Sequence, residues 1–400
     1  MRMIKMGIVQ RLLKAKSILI LLFISLFIGN VLAAETPEQI ANKGMEYFNK
    51  GDYDRAISSF SKAIGLKPGD ADIYFSRGNA YQNKGNYDQA ILDYTKAIEL
   101  KPGDGNIYFS RGNVYQNRSD YDLAILDYTK AISLKPGDAN IYFSRGNVYQ
   151  NRGNYDLAIL DYTKAIGLKP GDANIYFSRG NAYQNKGNYD LAISDYTRAI
   201  ELKPNDADLC FSRGNAYQNK GSYDLAISDF SKAMVLNSNN AGIPACRGNA
   251  YQNKGDYDRA IADYSKALGL RPGDADIYSS RGNVYQSKGD YDKAIGDFSK
   301  AIELKPNVAH PYLGRGNINQ GRKDHKRAIA DFSKAIEINP ANINIYFVRS
   351  NAYYQEKEYE KALSDMQKIE ELGGKPDAGL METLKKQCGN KKVNVYLLSK

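Results

Sequence analysis

Three kinds of side chain return at one interval along this chain, and each is suited to holding a ligand. Asparagine stands at Asn79, Asn113, Asn147, Asn181 and Asn215 and continues to Asn351, while glutamine stands three residues on at Gln82, Gln116, Gln150, Gln184 and Gln218 and continues to Gln320. Phenylalanine precedes them at Phe75, Phe109, Phe143, Phe177 and Phe211. An amide carries both a donor and an acceptor, so a row of amides can pair with the backbone of an extended peptide without reading its side chains closely. The phenylalanines would add apolar pockets between the rungs. A polysaccharide, with hydroxyls and sugar faces, suits the same rows. Asparagines that only bond local backbone or water are the third reading.

Two further rows are charged. Arg77, Arg111, Arg145 and their successors run to Arg349, and Asp93, Asp127, Asp161 and theirs run to Asp365. We expect each arginine to meet an aspartate, that of the preceding repeat before its own. A partly buried pair of this kind would fix repeat register more than it raises stability. Two independent solvated charges are the alternative.

Catalytic chemistry finds little to work with. The only histidines are His310 and His325, and the second replaces the tyrosine of the other copies, as a surface substitution would. No glycine-rich phosphate loop stands out, no cysteine or histidine spacing suits a metal, and no cofactor is implied. The 24 residues that follow the repeats are too few for a catalytic domain. We therefore expect no enzyme. Cys210 and Cys246 could bridge, being near the starts of consecutive repeats, but separate half-buried thiols are the simpler expectation.

These rows are positioned by a repeat of 34 residues, starting at 37, 71, 105, 139, 173, 207, 241, 275, 309 and 343. In the unit that begins at Ala71, Tyr74, Gly78 and Tyr81 share one helix face, and Ala90, Tyr94 and Ala97 share a face of a second helix. The small residues let the helices approach closely and the rings fill the space between them. Gly85 can end the first helix in the left-handed conformation, and Asn86 and Asp88 suit the start of the second. Lys101 suits the C-terminal dipole, Pro102 stops the second helix, and Asp104 can cap the next first helix.

An aromatic or apolar residue at position 4, Gly at 8, Tyr at 11, Ala at 20, an aromatic at 24, Ala at 27 and Pro at 32 resembles the tetratricopeptide repeat. That resemblance implies an all-α solenoid, a right-handed superhelix of about ten hairpins whose first helices line a concave groove. It also implies that positions 2, 5, 9, 12 and 13 face the groove, which places the phenylalanine and amide rows there. Position 7, usually leucine in the family, is the arginine row. The lysine and neighbouring bases of a carboxylate clamp are missing at positions 2, 5 and 6, so an acidic carboxyl terminus is a poor ligand. After Phe211 the position-5 row becomes Ala245, Ser279 and Leu313, the sixth unit ends without its usual proline at position 32, and the seventh begins with Gly242 and Pro244. We expect a softer junction over 237–246, with ordinary drift of a tolerant loop as the alternative. A helix over 377–389, with Leu380, Met381, Leu384 and Cys388 in a stripe, would cap the last hairpin, leaving 390–400 as a tail.

The net charge of +10 comes mostly from the ends. Arg2, Lys5, Arg11, Lys14 and Lys16 precede the repeats with no acid among them, and Lys385, Lys386, Lys391, Lys392 and Lys400 follow them. The repeats are close to neutral with interspersed charge, so no nucleic-acid partner is expected. Residues 1–34 read as a signal peptide: a basic start, an apolar run and small residues at Val31 and Ala33. An uncleaved anchor over 17–34 is the alternative and the one route to a membrane. The expectation is an exported scaffold, periplasmic or secreted, holding a protein or extended peptide. The competing reading is a structural or carbohydrate-associated part of an envelope export or polymer-secretion assembly.

Overall fold

A computed structural model describes residues 14–21 and 35–389. The expected export segment lies largely outside these residues. Its residues 14–21 form a short exposed helix, α1, and the expected tail lies outside them entirely. Among the described residues no helix is long and apolar enough to cross a membrane.

Ten helix pairs follow. They are α2 (Pro37–Asn49) and α3 (Tyr53–Leu66), α4 (Ala71–Asn83) and α5 (Tyr87–Leu100), α6 (Gly105–Asn117) and α7 (Tyr121–Leu134), α8 (Ala139–Asn151) and α9 (Tyr155–Leu168), and α10 (Ala173–Asn185) and α11 (Tyr189–Leu202). Then come α12 (Ala207–Asn219) and α13 (Tyr223–Leu236), α14 (Gly242–Lys254) and α15 (Tyr257–Leu270), α16 (Ala275–Lys288) and α17 (Tyr291–Leu304), α18 (Ala309–Gly321) and α19 (His325–Ile338), and α20 (Ile343–Gln355) and α21 (Tyr359–Glu371). A last helix, α22, spans Ala378–Gln387. The described residues contain no strand, and the fold is an all-α solenoid.

Each pair is punctuated as its residues dictate. Asp104 sits at the N-cap of α6, where its Oδ1 accepts from the Asn106 amide at 3.0 Å. Gly85 takes φ +81° between α4 and α5, a conformation that costs a side-chain-bearing residue energy. Asn86 occupies the N-cap of α5 but makes no side-chain cap bond. Lys101, expected to serve the helix dipole, reaches instead to Asp72 at 3.1 Å and Asp104 at 3.3 Å, tying the end of a pair to its start.

Close approach within a pair rests on the glycine at position 8. A Cβ on Gly78 would lie 2.7 Å from Cε1 of Tyr94, a ring with no exposed surface. The tenth repeat tests the rule in its own sequence. Met366 replaces the ring there, Ser350 replaces the glycine, and the serine hydroxyl donates to the Ala362 carbonyl at 2.9 Å.

The chain divides into two compact units, one ending at Ala182 and the other beginning at Tyr183. The division falls within α10, and residues 237–246, where we expected the junction, lie inside the second unit. Asn240 stands where other repeats have their capping aspartate, and its Oδ1 accepts from the Gly242 amide at 2.9 Å, which closes the turn without the missing proline. In the first unit α2 touches α4, α4 touches α6 and α6 touches α8. In the second, α12, α14, α16, α18 and α20 touch in the same succession. The second helices pack on the first helix of the next pair. The first helices are therefore the more closely spaced row on the inner side of each stack. At the end of the second unit α22 buries Met381 and Leu384 against Tyr346, Leu363, Met366 and Ile369.

Candidate functional site

The arginine and aspartate rows do pair, but within one repeat, not with the preceding one. Arg77 donates through Nε and Nη2 to both oxygens of Asp93 at 2.8 and 2.7 Å. Arg111 grips Asp127 and Arg145 grips Asp161 in the same two-pronged way, and five later pairs repeat it. The aspartates are buried, and each arginine also lies beside the rings of position 4 or 11, as Arg77 does 5.7 Å from Tyr74 and 5.9 Å from Tyr81. The hydrogen bonds to Asp93 push the Arg77 pKa above its ordinary value, so the cation is permanent.

Contact with the preceding repeat goes to a partner the sequence reading overlooked. The remaining guanidinium nitrogen, Nη1, donates to the hydroxyl at position 25 one repeat earlier: Arg77 to Ser61 at 2.9 Å, Arg111 to Thr95 at 2.9 Å, Arg145 to Thr129 at 2.8 Å. Nine such bonds run from Arg77 to Arg349. The hydroxyl is oriented by its own helix, since Ser61 donates to the Ile57 carbonyl at 2.7 Å and so presents its lone pairs to the arginine. The signal was available. Position 25 is Ser or Thr in nine repeats and becomes Gln367 only in the tenth, which has no following arginine to serve. A second, exposed bridge joins position 14 to the aspartate at position 18 of the preceding repeat, as in Lys84 with Asp54 at 2.5 Å and Arg322 with Asp292 at 2.8 Å.

The amide rows lie half-buried on the first helices, and the rungs whose repeat has tyrosine at position 24 are anchored by its hydroxyl. The Tyr94 hydroxyl lies 2.7 Å from Asn79 Oδ1 and 2.6 Å from Gln82 Oε1, and Tyr128 stands likewise to Asn113 and Gln116. Tyr162 does the same with Asn147 at 2.7 Å and Gln150 at 3.2 Å. A phenol has one proton, so it donates to one amide oxygen and accepts from the other amide turned about its terminal bond. The phenol then leaves three of the four amide N–H donors and one carbonyl oxygen of each anchored rung unused. Burial pushes the Tyr94 and Tyr128 hydroxyls well above their ordinary pKa, so the proton in this clamp stays in place.

The phenylalanine row is half-buried on the same rings. Phe75, Phe109 and Phe143 each tilt against the tyrosine of their own repeat with centroids 5.8 Å apart, and Phe211 lies 5.6 Å from Phe230. Phe177 keeps the same position in α10, as does Asn181, and Gln184 receives the Tyr196 hydroxyl at 3.2 Å. In the sixth repeat Phe230 supplies no hydroxyl, and Gln218 Oε1, beside Asn215 in the row, is buried without a partner. Anchored rungs thus occur where position 24 is tyrosine.

Elsewhere, Cys210 and Cys246 are separate thiols. His310 Nδ1 lies 3.0 Å from Ser279 Oγ, with the ring edge-on to Phe298, and no described carboxylate orients the other nitrogen as nucleophilic catalysis would need. No group of three or more potential metal ligands gathers among the described residues.

Comparison with known proteins bears on the whole array. The C-terminal part of a TPR repeat-containing protein from Cytophaga hutchinsonii aligns over 60% of this chain and 98% of its own, with 22% identity and a TM-score of 0.54. YrrB, described as a TPR protein with an unusual peptide-binding site, is 27% identical over 46% of this chain and 95% of its own, with a TM-score of 0.41. MamA is 30% identical over 41% of this chain and 96% of its own, with a TM-score of 0.40. No curated protein matches the chain. A TPR repeat model matches residues 44–85 and 248–289. Tetratricopeptide repeat models match 71–104, 105–138, 139–172, 173–206 and 275–308, and also 207–240 and 309–342. These matches cover well over half of the chain in the register of its internal repeat, and the protein belongs to the tetratricopeptide repeat family.

Proposed function

We propose that this protein is a non-enzymatic interaction scaffold that holds an extended segment of a protein partner along its first helices, and that it works outside the cytoplasm. The observation that carries the reading is the anchored amide rung. Tyr94, Tyr128 and Tyr162 hold Asn79 with Gln82, Asn113 with Gln116 and Asn147 with Gln150 at a constant place in successive repeats. A side chain already held loses less freedom on binding, which is where preorganisation gains affinity. The atoms left over include both donors and acceptors, which suits the N–H and C=O of an extended backbone. Half-buried Phe75, Phe109 and Phe143 flank the rungs and suit alternate side chains of such a segment. Export rests on the residue pattern of positions 1–34.

Peptide-array binding with the mature chain tests this, comparing wild type with Asn147→Ala plus Asn181→Ala. We expect binding to several extended, weakly charged peptides that the double variant reduces about tenfold or more, as two lost hydrogen bonds of ordinary strength require. Unchanged capture by the double variant refutes the amide reading. Capture of polysaccharide in place of peptide moves the assignment to the carbohydrate-associated alternative.

A further inference from the structure

Position 11 is tyrosine in nine repeats and asparagine, Asn319, in the ninth. In the seventh, eighth and tenth repeats that ring has cationic neighbours on two sides, from positions 7 and 19. Arg281 of position 7 lies 5.8 Å from the Tyr285 ring and Lys293 of position 19 lies 5.5 Å from it. Position 19 also places Arg55 5.6 Å from Tyr47, Arg259 5.0 Å from Tyr251 and Lys361 5.4 Å from Tyr353. In the ninth repeat both cations remain, as Arg315 and Arg327, and the ring between them is gone.

Asn319 does not fill the space. It is buried, and its Nδ2 comes only within 3.4 Å of Asp331. A cavity of about 570 Å³ opens there, walled by Ile295 and Ala330 on the apolar side and by Ser299, Arg315, Arg322 and Arg327 on the polar side, with Asp324 and Asp331 also at its edge. Two of the arginines are committed, Arg315 to Asp331 and Ser299, and Arg322 to Asp292 at 2.8 Å. Arg327 is held more loosely, its Nε pairing with Asp324 at 3.4 Å while the side chain is 79% exposed. The surrounding turn is the most basic of the array, with Arg322, Lys323, Lys326 and Arg327 around Asp324, and with Lys326 where the other repeats carry an acid at position 18.

We propose that this cavity is a binding site for an aromatic ring that carries an anionic group. The ring takes the place that tyrosine fills in the other repeats, between Ile295 and Ala330 and under the guanidinium of Arg327. The anion meets the basic turn. Neither half suffices alone: a neutral ring gains only the stacking, and a bare anion gains only the solvent-screened cations of the exposed turn, since Arg315 and Arg322 are already paired.

Calorimetric titration of the full chain with phenyl phosphate, benzoate, p-cresol and inorganic phosphate tests the site. At least one aromatic anion should bind, and about tenfold more tightly than p-cresol or inorganic phosphate. The better of phenyl phosphate and benzoate identifies the anion. Asn319→Tyr should abolish that binding and raise Tm by restoring the ring. Arg327→Ala, at an exposed position that leaves packing intact, should weaken binding about tenfold and so keeps the test decisive if the first variant misfolds. Failure of both aromatic anions to bind, equal binding by Asn319→Tyr, or equal affinity for inorganic phosphate overturns the proposal.

Discussion

Replacing Asp127 by alanine removes one end of a buried pair whose other end, Arg111, has no alternative carboxylate among its described contacts. Breaking a buried pair in this way costs about 3–5 kcal/mol, because a desolvated charge is left alone. Two features lower that figure here. The Arg111 side chain keeps 17% exposure, against 4% for Asp127, and it retains both the Thr95 hydroxyl and the Tyr115 ring 5.8 Å away. We therefore expect about 2–4 kcal/mol for Asp127→Ala. Replacing both partners by apolar groups, Arg111→Leu with Asp127→Leu, removes the stranded charge. The remaining loss is the Thr95 bond, about 1 kcal/mol. The cycle closed by the Arg111→Leu and Asp127→Leu single variants, each of which strands a buried charge, should thus show a coupling of about 3 kcal/mol or more. Repeat arrays need not unfold as one unit, so the readout is amide exchange in α6 and α7 alongside urea denaturation followed by circular dichroism. If Asp127→Ala costs less than about 0.5 kcal/mol, or if the double variant costs the sum of the singles, the pair is only two solvated charges and the reasoning fails.

Two other outcomes follow from the packing. Gly112→Ser places a Cβ 2.8 Å from Cε1 of Tyr128, and should cost about 1–3 kcal/mol by urea denaturation. Adding Tyr128→Met should recover part of the loss, as Ser350 and Met366 coexist in the tenth repeat. His310 keeps exposed atoms, but shielding of its ring holds its pKa below the usual 6.5. The native state therefore binds fewer protons than the unfolded chain, so the contribution of His310 is complete above pH 6.5 and is lost as pH falls through its native value. Stability should decline on acidification below neutrality, and less so in His310→Gln. Equal pH profiles for the two proteins would exclude the effect.

The repeat itself was legible because its causes are local. A glycine at position 8, a ring at position 24 and an aspartate before most first helices impose close packing and capping within a span of one hairpin, and nearly every copy states the first two again. The same holds for helix boundaries, where Gly85 and Asp104 act on their immediate neighbours. The amide and phenylalanine rows could likewise be placed on one helix face from spacing. Their anchoring could not, since Tyr94 reaches Asn79 and Gln82 across the hairpin and only its hydroxyl, absent from Phe230, hints at the bond.

Arg111 marks the limit most clearly. It has a position-23 aspartate on either side in the chain, Asp93 before it and Asp127 after, each on a different helix, and spacing alone does not choose between them. The folded chain gives it Asp127 for a two-pronged bond and Thr95 of the preceding repeat for the third nitrogen. Residue types determined that the arginines would be buried beside acids, because an unpaired charge there is too costly. Which acid, and which surface carries register between repeats, depended on how one hairpin docks on the next, and docking geometry is not periodic information.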